Sequence, residues 1–332
     1  MLFRSYAVRH QNLEMVKLLF NSGSKVNMPN YGGQSILTLT VLHKNYDVLD
    51  FLISKGADVN MIDKGRGTPL MTAIGFKNKN QSVVTKYLEK FLTFRPKVNH
   101  LSADESALHL AARYGFIEAI KLLLDNRANI NLVSLATGRT ALYVAAISKN
   151  IAAARFLMKQ GAKTEIQDKM GYSPLTAAVT LVDVEMVEAL LEGGASGDTR
   201  SAADVRATPL VLAAANINPI NHNDYIKIMN KLLDRRAGVD FQSVNGTTAL
   251  MAAALNSNQE MGLEKVELLI KRGSNLNIAN SGGETALMLA AGAGKERIVK
   301  ILLSKGAKIH LKNRVGETVM SYANRSGNRT II

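Results

Sequence analysis

A short pattern recurs along this chain: Thr or Ser, then Pro or Ala, then Leu. It is usually followed by paired alanines, a Leu-rich stretch, Gly-Ala and Asn. The starts read Thr68-Pro69-Leu70, Ser106-Ala107-Leu108, Thr140-Ala141-Leu142, Ser173-Pro174-Leu175, Thr208-Pro209-Leu210, Thr248-Ala249-Leu250 and Thr285-Ala286-Leu287. A weaker copy, Ser35-Ile36-Leu37, precedes them and Thr318-Val319-Met320 follows. The spacing of about 33 residues is the period of a helical solenoid. A unit this short cannot bury its apolar face alone, so units must stack and stability becomes a nearest-neighbour property. Core positions in such an array carry no chemistry, which leaves the surface to act.

One unit can be read from its physics. Thr285 suits an N-cap, and Pro69, Pro174 and Pro209 occupy first helical positions, where a missing N–H costs nothing. Ala290-Ala291 keeps the first helix thin. The second helix, Arg297 to Ser304, places Ile298, Val299, Ile301, Leu302 and Leu303 at helical spacing toward a core. Gly306 fits the left-handed residue that ends it. The first unit begins at Leu2-Phe3-Arg4, so its first helix is poorly specified, and the copy at Thr318 has no Leu-Leu helix after it. That last copy reads as a shortened cap.

The run Ser106-Ala107-Leu108-His109-Leu110-Ala111-Ala112-Arg113-Tyr114-Gly115, followed by Ile120-Lys121-Leu122-Leu123-Leu124 and Ala128-Asn129-Ile130-Asn131, resembles the ankyrin repeat. The resemblance extends from about Tyr6 to Ala323. It implies an all-α ankyrin-repeat helical solenoid of stacked helix-turn-helix units with hairpin tips, roughly ten of them. The expected units are about 1–30, 31–63, 64–101, 102–135, 136–168, 169–203, 204–243, 244–280, 281–313 and a partial C-terminal cap, 314–332. It also implies a non-catalytic scaffold that binds a protein partner on its concave face, using the hairpin tips and the inner sides of the first helices. Carried onto this chain, the partner-binding positions include Tyr31, Phe76, Arg113, Tyr114, Arg139, Ile147, Met170, Tyr172, Leu181 and Leu255. Aromatic residues and Arg are the types that binding hot spots favour.

The pattern breaks in two ways. Extra residues stand between the two helices of a unit at Gly75 to Gln81, Asn216 to Asp224 and Asn256 to Gly262. All three should lengthen one edge of the array. Separately, Arg95, Arg127 and Arg236 stand where Gly56, Gly161, Gly194, Gly273 and Gly306 stand in other units. Pro96 after Arg95 suggests that this unit turns differently.

The net charge of +14 comes largely from two basic stretches, one with Lys64, Lys77, Lys79, Lys86, Lys90, Arg95 and Lys97, the other from Lys295 onward. Such a field speeds association with an acidic protein. An anionic membrane surface is the weaker alternative. Sparse aromatics (5%), the absence of Trp and the lack of a nucleic-acid motif argue against nucleic acid.

A catalytic reading finds little support. With no cysteine, disulfides and thiol chemistry are excluded. His109 fills a structural position at a helix start, and the other histidines lack metal-ligand spacing. Gly292-Ala293-Gly294-Lys295 lacks the residues of a phosphate loop. Asp183, Glu185 and Glu188 read as a solvated helix edge. No cofactor or metal is expected, and the chain is expected to be monomeric. No apolar run approaches a membrane span, and no secretory signal opens the sequence, so an intracellular, cytoplasmic protein is expected. The resemblance also allows a substrate-targeting or regulatory arm of a larger enzyme, or a host-directed bacterial effector module with a basic surface.

Overall fold

The computed structural model describes residues 2–65, 67–75, 80–102, 105–201 and 207–327, with residues 2–4 by backbone only. They form nineteen α-helices and one short 3-10 helix. Among the described residues there is no strand, only isolated bridges at Ser102–Glu105 and Ala279–Thr285. The chain divides into two compact units, Met1–Lys163 and Thr164–Ile332.

In the first unit the helices pair in order: α1 (Leu2–Arg9) with α2 (Leu13–Asn21), and α3 (Ile36–Leu42) with α4 (Tyr46–Ser54). Then follow α5 (Pro69–Gly75) with α6 (Gln81–Leu92), α7 (Ala107–Tyr114) with α8 (Ile117–Asp125), and α9 (Ala141–Ile147) with α10 (Ile151–Lys159). In the second, α11 (Pro174–Thr180) pairs with α12 (Val184–Glu192), and α13 (Pro209–Ala215) with α14 (His222–Asp234). Next come α15 (Ala249–Ala254) with α16 (Gln259–Lys271), α17 (Ala286–Gly292) with α18 (Glu296–Ser304), and a lone α19 (Val319–Ser326). Within each unit every pair stacks on the next, first helix on first helix, as in α7 on α9 and α13 on α15.

The repeated start works as its chemistry predicts. The hydroxyls of Ser35, Thr140, Ser173, Thr208, Thr248 and Thr285 each accept the backbone N–H three residues on, and Pro174 and Pro209 open their helices. At Ser106 the cap is reciprocal: His109 Nδ1 accepts the Ser106 N–H, and its Nε2 reaches the Arg139 carbonyl at 2.9 Å. With Nδ1 accepting, Nε2 carries the proton and donates across to the neighbouring pair. The alanine pairs, such as Ala111-Ala112 and Ala290-Ala291, are fully buried. α1 forms despite its weak start.

Consecutive pairs are also tied by a recurring side-chain bond. In the first unit the Oδ1 atoms of Asn27, Asn60, Asn99 and Asn131 accept the backbone N–H of Asp58, Lys97, Asn129 and Lys163, at 2.6–2.9 Å. In the second, Glu165, Asp198, Asp240 and Asn277 do the same for Ser196, Gly238, Asn275 and Lys308. The hairpin tips touch as well. Arg314 N donates to the Gly282 carbonyl, and a Cβ on Gly283 (φ +80°) would lie 2.7 Å from that Arg314 nitrogen.

Two expectations need correction. Arg95 adopts φ 49°, the same left-handed turn as Arg127 (67°) and Arg236 (63°). Pro96 therefore does not redirect the chain. It only removes the N–H that, in the pair before, runs from Ala57 to the Leu52 carbonyl. The insertions also do more than lengthen a loop. The second helices that follow them, α6, α14 and α16, have 12, 13 and 13 residues, against 9 in α4, α8, α10, α12 and α18. Each insertion is thus followed by a second helix about one turn longer. Residues 76–79, with Phe76, Lys77 and Lys79, lie outside the described residues.

Two of these long helices reach across to the preceding pair from the same helical position. That position holds Val48, Ala119, Ala153, Met186, Ile228 and Ile298 in other second helices, all fully buried. In α6 it is Tyr87, whose hydroxyl donates to the Thr40 carbonyl at 3.3 Å while its ring stacks on Tyr46 at 4.4 Å. In α16 it is Lys265, which is 0% exposed. Its ammonium donates to the carbonyls of Ala213 (3.1 Å), Ala214 (3.2 Å) and Asn216 (2.6 Å) and lies 5.5 Å from the Tyr225 ring centroid. These carbonyls end α13, whose cap Asn216 is extended, so the lysine supplies the donors that a continuing turn would have supplied. Burial pushes the Lys265 ammonium down to about 8.

Candidate functional site

Phe76 aside, the sequence-derived positions lie on hairpins and at the ends of first helices, and each unit carries its own group. In the first unit, α7 and α9 pack side by side, and Arg113 and Ile147 occupy the same position in them, seven residues after the caps Ser106 and Thr140. Ile147 is half-buried; Tyr114, one residue beyond Arg113, is partly exposed, with its ring 5.7 Å from Phe116. Tyr31 stands out from a hairpin tip with 77% of its surface exposed.

Arg113 and Arg139 meet in one cleft of about 270 Å³, lined also by Ser102, Glu105, Ser134, Thr137 and Val144. Arg113 is not a free cation there, since its Nε donates to Glu105 Oε1 at 3.0 Å. The Arg139 guanidinium lies 5.2 Å from the Tyr143 ring centroid, and the residue's backbone N–H donates to Ser134 Oγ. A hairpin one residue longer than its neighbours shapes this cleft: Ser134 to Thr140 replaces the spacing of Asp168 to Ser173. Accordingly Gly138 N reaches back four residues to the Ser134 carbonyl, where Gly171 N reaches three, to Asp168. The extra residue leaves Leu135 exposed at the tip. Ser134, Thr137 and Leu135 are absent from the sequence-derived positions. Their one signal is that the starts at Ser106 and Thr140 stand one residue farther apart than those at Thr140 and Ser173.

In the second unit Met170, Leu181 and Leu255 are exposed and Tyr172 is half-buried. Leu181 caps α11 and Leu255 caps α15, with α13 between those helices in chain order, so the two do not form one continuous pair. Asp168 Oδ1 accepts the N–H groups of Met170 and Tyr172 at 2.9 and 3.0 Å, which holds that hairpin tip in shape.

The groups that suggest other chemistry are mostly engaged in structure. Asp183 caps α12, and Glu188 pairs with Lys231 at 2.6 Å, so this acidic edge is bonded rather than simply solvated. Lys295, at the faint phosphate-loop resemblance, donates to the Ser257 carbonyl at 2.9 Å. His222 pairs with Glu264 at 2.6 Å and so ties α14 to α16. Among the described residues no group of three or more His, Asp or Glu side chains is placed to hold a metal. None of the described helices is long and apolar enough to cross a membrane.

Stacked helix pairs joined by hairpins, with surface groups on the tips and at the ends of first helices, define a repeat-type module. The family profile described as "Ankyrin repeats (3 copies)" matches residues 5–88, 70–168, 108–201 and 210–313. The chain belongs to the ankyrin-repeat family. It is 34% identical over 122 residues (37% of this chain, 24% of the relative) to "Ankyrin repeat, SAM and basic leucine zipper domain-containing protein 1" of Dasypus novemcinctus. It is 33% identical over 154 residues (46% and 6%) to "Neurogenic locus notch homolog protein 1" of Homo sapiens. A third match, to an L-asparaginase of Dirofilaria immitis, is 29% identical over 151 residues (46% and 24%). The chain thus spans a quarter or less of the length of these relatives. Among solved structures, the human ASB11 ankyrin repeat domain superposes with a TM-score of 0.52 at 24% identity, covering 68% of this chain and 96% of that one. Ankyrin repeats generally mediate protein–protein interaction.

Proposed function

We propose that this chain is a non-catalytic scaffold that binds a protein partner on the face formed by its hairpin tips and first helices. The observation that carries the reading is the cleft between Ser102 and Glu105 on one side and the hairpin of residues 134–139 on the other, with Arg113 and Arg139 in its wall. Exposed Tyr114 and Leu135 lie on the α7 end and the hairpin tip of the same two helix pairs. Tyr and Arg at a rigid concavity are the anchors that protein interfaces use. Because helix stacking and the Glu105 contact already fix these side chains, little ordering cost is left for binding. The net charge of +14 favours an acidic partner and raises the encounter rate. The reading places the scaffold inside a cell as a monomer, and with no cysteine the fold needs no oxidising compartment.

The test is affinity capture from cell lysate followed by mass spectrometry, with two variants beside the wild type. Arg113→Ala/Tyr114→Ala probes the first unit and Met170→Ala/Leu181→Ala the second. All four side chains are at least partly exposed, so circular dichroism should show both variants folded. A partner kept by the wild type and the second variant but lost by the first establishes the cleft. Capture that is the same in all three removes this face from consideration.

A further inference from the structure

A second concavity lies away from the cleft, where second helices end and the chain turns toward the next hairpin. Arg95, Lys97, His100, Asp125 and Arg127 line a groove of about 730 Å³ between two consecutive corners of the first unit. It shares no lining residue with the cleft at Arg113 and Arg139.

Its two arginines hold backbone positions that the fold fills with glycine elsewhere. Gly23, Gly56, Gly161, Gly194, Gly273 and Gly306 turn here at φ 81–92°. A residue with a Cβ is strained in this region. Arg95 and Arg127 nonetheless occupy it in consecutive corners, at φ 49° and 67°. Both side chains are exposed, as is Lys97, and among the described residues none of the three makes an ion pair. Asp125 is the one carboxylate among the lining residues, so cations outnumber it. Guanidinium groups bond carboxylates through two parallel N–H donors, a geometry that a lysine cannot offer.

We propose that this groove docks an acidic peptide segment, whose carboxylates bridge Arg95, Lys97 and Arg127. The site is separate from the face assigned above, and neither reading depends on the other. A peptide fits better than a single small anion, because the groove is open and its charges are spread over two corners. Its lining holds no Phe, Tyr or Trp, the rings on which single-stranded bases chiefly stack.

The strained backbone makes the test sharp, since glycine at these positions removes the side chain and relieves the turn together. Binding of a fluorescein-labelled hexaglutamate peptide would be followed by anisotropy at about 50 and 150 mM salt. For Arg95→Gly/Arg127→Gly we expect affinity to fall about tenfold or more, with Tm unchanged or higher by roughly 2–4 °C. A control, Arg236→Gly/Lys308→Ala, removes two charges from the second unit, including the arginine at φ 63°, and should leave affinity within about twofold. Three results would overturn the proposal: no binding by the wild type, unchanged binding by the glycine variant, or equal losses in both variants. Equal losses would mean that diffuse net charge is responsible. Displacement of the peptide by single-stranded oligothymidylate at comparable affinity would also overturn it, in favour of a general polyanion surface.

Discussion

Lys265→Ala is expected to destabilise the second unit by about 3–4 kcal/mol, through a buried cavity and the loss of the ammonium that serves the Ala213 and Ala214 carbonyls, while Asn216 O keeps its bond from Asn256 Nδ2. Three main-chain oxygens, those of Ala213, Ala214 and Asn216, share this one ammonium. No extension of α13 replaces it, because Asn216 leaves the helix in an extended conformation. Lys265→Met keeps most of the apolar stem and removes only the donors, so it should cost less than alanine. Urea unfolding followed by circular dichroism, with hydrogen exchange at α13 and α16, would measure both. Loss of protection confined to α16, with α13 unaffected, would show that the lysine does not hold the end of α13.

The same residue sets a pH dependence whose sign can be worked out. An ordinary lysine titrates near 10.5, and burial holds this one at about 8. Between those values the unfolded chain binds the additional proton, so folding becomes more favourable as pH rises. Wild-type stability should therefore increase relative to Lys265→Met from pH 8 upward, by at most about 3 kcal/mol across the window. Above about pH 10 Tyr87 works the other way. Burial raises its pKa, so the folded chain keeps a proton that the unfolded chain loses, and stability falls as pH climbs. A flat difference between wild type and Lys265→Met from pH 8 to about 10 would mean that the ammonium is not desolvated.

Tyr87→Ala is the second large effect, at about 3–5 kcal/mol, the usual cost of removing a buried aromatic ring. The ring is 1% exposed, stacks on Tyr46 and lies 6.4 Å from Phe91. Tyr87→Phe keeps the ring and loses only the bond to the Thr40 carbonyl, for about 1 kcal/mol. The contrast between the two substitutions separates packing from hydrogen bonding. A phenylalanine variant as damaged as the alanine variant would show that the hydroxyl bond, not the ring, anchors α6. Because stability in a stacked array is largely shared between neighbours, the damage should extend to α3–α4 and α7–α8.

What could be read from the residues was local. The caps at Ser106 and Thr285, the prolines at 174 and 209 and the stop at Gly306 act within a few positions of themselves, so their meaning survives without the fold. The left-handed arginines were legible for the same reason, by alignment with the glycines of sister units. Pro96 misled because a proline changes which N–H groups exist more readily than where the chain goes. Lys265 was hidden for a different reason. Its partners lie about fifty residues away in another helix pair, and an apolar pattern interrupted by lysine reads as a solvent-facing position. The cleft at Arg113 and Arg139 was half visible: the arginines were marked by position, while the longer hairpin that shapes it appeared only as a one-residue change in spacing.

The bond that joins each helix pair to the next makes a different demand on its two ends. The accepting end is a side chain, always Asn, Asp or Glu: Asn27, Asn60, Asn99 and Asn131 in the first unit, Glu165, Asp198, Asp240 and Asn277 in the second. The donating end is a backbone N–H, which every residue but proline carries, and here it belongs to Asp, Lys, Asn, Ser and Gly alike. A module joined this way brings its own plug and finds a socket on any neighbour. Duplication, deletion or exchange of a helix pair re-forms the joint with no matching change across it. Surface residues on adjacent modules are then free to diverge one module at a time.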